Sequence, residues 1–266
     1  MDLGLAGKRA LVTGGSRGIG KAIARALACE GANVAILARD SARLAAAAAE
    51  IAAEAGRTVV PVVADTTDDG QVDAAVDAAT RALGGIDILV AAAAEPGGYA
   101  APPKLAELDA AFLQHEIDIK VMGYIRTARA VAPQMRAQRW GRIVFVSGLA
   151  ARLTGNAVGS MRNVAVAALT KNLADELGPN GINVTVVHPG LTRTERTATL
   201  VAAQAQAQGV GEDVILQRMA EGNSIRHLVD AAEVADVVAF LASPKSVAIN
   251  GDAIAAGGGV PRAIHY

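Results

Sequence analysis

Thr13-Gly14-Gly15-Ser16-Arg17-Gly18-Ile19-Gly20 follows the apolar run Arg9-Ala10-Leu11-Val12 and opens a stretch of helical period. Glycines alone say little. Placed between a first strand and a first helix, they let the backbone approach a pyrophosphate, which the free N–H groups of the helix start then hold. The turn is therefore assigned to a dinucleotide, with Gly14, Ser16, Arg17, Gly18, Ile19 and Gly20 as its contacts. The rest of the chain repeats the rhythm begun there. Runs of strand length at 9–13, 33–38, 58–64, 86–93, 142–147, 182–188 and 253–256 alternate with helical segments at 19–30, 42–55, 69–83, 104–138 (more than one helix), 160–177 and 231–242. Such alternation marks βαβ units and a parallel sheet, here of seven strands in one α/β domain. Residues 191–225, rich in Thr, Gln and Gly, interrupt the alternation and are long enough to be a substrate lid.

Composition narrows the function classes. Of 266 residues 52% are hydrophobic but only 3% aromatic, with 28 glycines, so the core is built from small aliphatic side chains. The formal net charge of -1 offers no electrostatic footprint to nucleic acid or to an anionic membrane. The mean hydropathy of +0.32 comes from alanine, and each apolar run is broken well before the roughly 18 residues of a spanning helix. The one cysteine, Cys29, forms no intrachain disulfide, and the start of the chain has no signal-peptide pattern; both predict a cytoplasmic protein. No His, Cys, Asp and Glu grouping has metal-ligand spacing, so no metal is expected.

The second strand ends Leu37-Ala38-Arg39-Asp40. An acidic residue at position 38 would hold a ribose 2′-hydroxyl and repel a 2′-phosphate, whereas Ala38 does neither. Arg39 and Arg17 offer two guanidinium groups to a phosphate, so NADP(H) is favoured over NAD(H).

With these residues in view, the chain resembles the short-chain dehydrogenase/reductase family over nearly its whole length. The Thr-Gly-x-x-x-Gly-x-Gly turn is Thr13 to Gly20; Asp65, followed by Thr66, matches the acidic residue after the third strand that faces the adenine; Ala91 opens the fourth strand's end; Pro189, Gly190 and Thr194 match the nicotinamide-side loop; and 249–258 is similar to the closing strand. The resemblance implies a Rossmann-type doubly wound sheet, a nicotinamide cofactor, a small-molecule carbonyl or alcohol substrate and a homotetramer built on the long helices.

The family's catalytic positions differ here. None of Tyr99, Tyr124 and Tyr266 has a Lys four residues on. Counting back from 164–174 puts Gly159 at the family's Tyr and Asn163 at its Lys; Gly148 stands at its Ser, beside Ser147; Ala91-Ala92-Ala93-Ala94 replaces Asn-Asn-Ala-Gly; and Lys120 replaces the relay Asn. A chain without a positioned general acid forgoes a typical 10² to 10⁴-fold. Three functions remain open: an NADP(H)-dependent oxidoreductase whose acid–base groups are rebuilt from Lys120, Ser147, Ser160, Arg162, Asn163 or His115; a non-redox enzyme on the same fold; and an inactive NADP(H)-binding sensor or subunit. Lys120 and Asn163 look exchanged relative to the family, which predicts that they meet in the cleft.

Overall fold

The structure, a computed structural model, describes residues 1–95 and 102–261. Its first half runs β1 (Arg9–Thr13), α1 (Gly18–Cys29), β2 (Asn33–Ala38), α2 (Ser41–Ala55), β3 (Val59–Val63), α3 (Asp69–Leu83) and β4 (Ile88–Ala91). Then follow α4 (Ala110–Ile117), a π turn (Asp118–Met122), α5 (Gly123–Gln138), β5 (Gly141–Val146), α6 (Ala157–Leu177) and β6 (Ile182–Pro189). The chain continues through β7 (Thr192–Arg193), α7 (Glu195–Gln208), α8 (Glu212–Glu221), β8 (Val229–Asp230), α9 (Ala231–Ala242) and β9 (Ala253–Ala256).

Seven parallel strands pair in the order β3-β2-β1-β4-β5-β6-β9. Successive strand residues serve opposite faces. Val12, Val34, Ile36, Val90 and Val144 enter the core beneath α1, α2 and α9, whereas Leu11, Ala35, Leu37, Leu89 and Phe145 enter the one beneath α3, α5 and α6. Burial on both faces is why these strands read as continuous apolar runs. The helices begin where side chains cap them: Asp40 accepts from the Arg43 amide, Asp68 from Gln71 and Asp109 from Phe112.

Several expected boundaries shift. The run 86–93 pairs only over Ile88–Ala91, because the Ala92 and Ala93 amides turn aside to the Thr13 hydroxyl oxygen at 3.1 and 3.2 Å. The run 142–147 pairs over Gly141–Val146, so Ser147 lies past the strand end. Residues 104–138 divide at the π turn. The stretch 191–225, whose apolar period is weak, folds as α7 and α8 around a small core of Val201, Ala205 and Ile215. The two-residue strands β7 and β8, too short to leave a period, pair beneath it.

Candidate active site

Strand order reverses between β1 and β4, and ligands of open α/β sheets bind at the strands' C-terminal ends at that point. A cleft of about 960 Å³ lies there. Its cradle has no room for side chains: a Cβ at Gly20 would stand 2.3 Å from the Gly14 carbonyl oxygen, and one at Gly14 would stand 2.8 Å from that of Ala92. The Gly18 amide, at the free end of α1, donates to a Glu195 carboxylate oxygen at 3.0 Å. An anionic oxygen thus already sits where the helix start can hold one, which fits a pyrophosphate seat. Ser16, Arg17, Gly18, Ile19, Arg39, Asp65, Thr66, Pro189, Gly190 and Thr194 all line the cleft. Ala91 does not: it is buried inside β4, and Ala92, Ala93 and Ala94 form the wall instead.

Sequence reasoning missed the partners of Arg39. Its guanidinium contacts Glu95 at 2.9 Å and Asp65 at 3.8 Å. Burial pushes the Asp65 carboxyl up, but hydrogen bonds from the Thr67 amide and hydroxyl, together with Arg39 and Arg126, hold it below the ordinary carboxylate value.

The π turn carries Lys120 into the cleft, a use to which such turns are often put. Arg126 steadies the turn, with Asp118 at 2.8 Å and Asp69 at 3.4 Å. Lys120 is 4% exposed, and its Nζ donates to the Ser147 carbonyl at 3.0 Å. Burial, then repulsion from Arg162, outweigh the attraction of Glu116 and bring its pKa from 10.5 to about 7. The expected meeting with Asn163 is indirect. The Ser147 hydroxyl donates to the Asn163 backbone carbonyl at 3.3 Å, so Ser147 stands between them. The buried Asn163 Oδ1 has no partner among the described residues.

Around this centre, Gly148 donates its amide to His188 Nδ1 at 3.3 Å; burial first, then Arg152 and Lys120, push that imidazole down to about 4. A Cβ at Gly159 would stand 2.8 Å from the amide carbon of Asn156, which caps α6 by accepting from the Gly159 amide at 2.8 Å. The Asn156 side chain therefore lies against the space a residue at 159 would claim. Arg162 lines the cleft and is ion-paired with Glu116. The other candidates go elsewhere: Ser160 donates to the Leu153 carbonyl at 2.8 Å, and His115 is exposed on α4. Tyr124 is a core pillar, its hydroxyl donating to the Val146 carbonyl at 2.6 Å, its ring stacked on Phe145 and its pKa raised by burial. Tyr99 and Tyr266 lie outside the described residues.

The expectation of no metal-ligand grouping meets one cluster. His227, Asp230 and Glu233 gather at the start of α9, their ligand atoms within 4.8 Å of one another. His227 precedes β8, Asp230 ends it and Glu233 lies in the first turn of α9, so the grouping is made by the turn into the helix. Arg193 binds Asp230 through two nitrogens at 2.6 and 3.0 Å, and Glu233 accepts from the Asp230 amide and from His227, so the cluster's charges are already engaged in capping and pairing. Among the described residues no helix is long and apolar enough to cross a membrane.

Comparison with known proteins agrees with this architecture. Residues 8–205 match the family model described as short chain dehydrogenase. The chain is 35% identical over 250 residues to Oxidoreductase UcpA of Escherichia coli O157:H7, covering 93% of this chain and 92% of that one. The L-sorbose reductase of Gluconobacter frateurii, solved with NADPH and L-sorbose, superposes with a TM-score of 0.91 at 30% identity, over 99% of this chain and 100% of that chain. A short chain dehydrogenase of Burkholderia cenocepacia J2315, solved with NADP, does so with a TM-score of 0.78 at 37% identity, over 96% and 98%. By sequence match, sheet order and cleft alike, the chain belongs to the short-chain dehydrogenase family of oxidoreductases.

Proposed function

We propose that the protein is an NADP(H)-dependent carbonyl reductase or alcohol dehydrogenase in which Lys120 takes the part that a tyrosine hydroxyl plays elsewhere in the family. The observation that carries this reading is a buried ammonium, hydrogen-bonded to the Ser147 carbonyl, on the wall of the same cleft that the glycine turn and the start of α1 line. NADP(H), when bound, supplies or accepts the hydride. The chain supplies the rest. Gly14, Ser16, Gly18, Ile19 and Gly20 hold the pyrophosphate; Pro189, Gly190 and Thr194 stand on the nicotinamide side; Asp65 and Thr66 stand beside the adenine. Lys120 donates a hydrogen bond to the substrate oxygen and then its proton, at a pKa near the operating pH, where general acids work best. Gly159, with the Asn156 side chain packed over it, forms the wall beside the substrate. The helices α7 and α8 form the lid. A cytoplasmic setting, with the exposed thiol of Cys29 kept reduced, belongs to the same reading.

The test is a fluorescence titration with NADPH, followed by cofactor oxidation against a panel of ketones and aldehydes. Binding with turnover supports the reading; binding without turnover makes the protein an inactive NADP(H) binder, and weak binding points to non-redox chemistry. NADPH is expected to bind more tightly than NADH because Arg17 and Arg39 line the cleft and offer guanidinium groups to a 2′-phosphate, Arg39 by exchanging its contacts with Glu95 and Asp65. Arg39→Asp should reverse that order, and wild-type protein that prefers NADH overturns it.

A homotetramer is part of the proposal. Met122, Met161 and Val164 stand exposed on the π turn and α6, apolar surface that a partner copy would cover. Light scattering should give a mass near four times 26.9 kDa at micromolar concentration, and a monomer contradicts it.

A further inference from the structure

On the cleft wall one buried ammonium has no carboxylate within ion-pair distance among the described residues. Of the charged side chains that line the cleft, those carried by the π turn and by α6, Lys120 and Arg162, are both basic. Glu116 pairs with Arg162 from behind, since it is not itself part of the wall. Among the described residues Arg162 keeps its Nε buried and without a partner, and the hydrogen-bond acceptor of the Lys120 ammonium is a neutral carbonyl. From β6, His188 adds no negative charge. Buried cations are costly unless an anion compensates them. The wall they stand on is shared. Gly159, Arg162 and Asn163 lie three and four residues apart on α6 and so share a face, which lines the cleft together with the Asn156 side chain packed over Gly159. Asn163, 4% exposed and with its Oδ1 unpartnered, adds an unused acceptor beside the two cations.

We propose that the substrate is a short oxo acid, or the matching hydroxy acid, whose carboxylate is seated on Arg162 while its reacting oxygen meets Lys120. This rests on the reading of the cleft as an oxidoreductase site and names the substrate class for it. A planar guanidinium with free N–H groups suits a carboxylate, and the contact is charge-assisted. Arg162, Glu116 and His188 face Lys120 from α6, α4 and β6; an arriving anion favours the protonated ammonium, so the acid's affinity falls as pH rises through about 7.

The probes are acetoacetate and 2-oxobutanoate, each beside its neutral methyl ester, added to NADPH-loaded protein with calorimetric binding and NADPH absorbance as readouts. At least one acid is expected to bind roughly ten- to a hundredfold more tightly than its ester. The double variant Arg162→Leu with Glu116→Leu removes the ion pair together, leaving no orphaned carboxylate, and should lose that preference with NADPH affinity unchanged. Arg162→Lys, which keeps the charge but not the fork, should weaken acid binding about tenfold. Esters that bind as well as the acids, no binding of either acid, or a preference that survives in the double variant overturns the proposal. Failure of NADPH to bind instead overturns the oxidoreductase reading, and acid binding to the cofactor-free protein still tests the anion seat.

Discussion

Lys120→Met should lower the rate of NADPH oxidation by an accepted carbonyl substrate by about 10² to 10⁴-fold, the usual contribution of a positioned proton donor. Methionine nearly matches the lysine in length and removes the buried ammonium, at the cost of one hydrogen bond to the Ser147 carbonyl, so the fold is retained and NADPH still binds. The pH dependence identifies the group. Its pKa is about 7 in the folded protein, so kcat for reduction falls as pH rises through that value, whereas alcohol oxidation, which needs the free amine, gains over the same interval. Stability carries a second signature. Between about 7 and the ordinary 10.5 the unfolded chain holds a proton on Lys120 that the folded chain has shed, so this group makes the protein more stable as pH rises through that window. Calorimetry across the window should show the rise in wild-type protein and its loss in Lys120→Met. An unchanged reduction rate in the variant removes Lys120 from the chemistry.

Gly20→Ala should abolish cofactor binding in practice, raising the NADPH Kd at least about a hundredfold, as expected when two charge-assisted hydrogen bonds are lost. The added Cβ would lie 2.3 Å from the Gly14 carbonyl oxygen, a backbone atom that cannot swing away as a side chain would. Either α1 retreats from β1 or the Gly14 turn moves, and each breaks the alignment of the Gly18, Ile19 and Gly20 amides. Overpacking of this kind costs about 1–3 kcal/mol of stability, so the melting temperature falls as well. A variant that binds NADPH within a few-fold of wild type shows that the cofactor does not rest on this turn.

Much of the molecule was legible in the chain because its causes are local. The turn Thr13 to Gly20 names its own geometry, since only glycine tolerates that closeness of backbone to backbone. The strand at 33–38 kept the limits read from its apolar run, because burial on both sheet faces leaves polar residues only at strand ends, and the part-buried edge strand 253–256 kept its limits between Asp252 and Gly257. The helix Asp69–Leu83 was equally plain, with a side-chain cap ahead of it and an apolar stripe within it.

What the chain could not announce depends on distant partners. Gly148 counted to the family's Ser position with Ser147 beside it, and because β5 ends at Val146 both residues reach the cleft wall. Strand ends are set by pairing with β6, which no local pattern records. The π turn that carries Lys120 inward leaves no mark in residue type; Arg126, eight residues beyond Asp118, pairs with that residue and with Asp69 of α3. Arg39 read as a free guanidinium until folding set Glu95 and Asp65 beside it, from the ends of other strands. Sequence alone therefore determined the sheet, its cofactor turn and the absence of a Tyr-x-x-x-Lys pattern, all matters of composition and short spacing. Only the tertiary structure decided that Lys120 and Arg162, 42 residues apart in the chain, would share one buried wall, since the charge of a site is a sum over elements that meet only in the folded state.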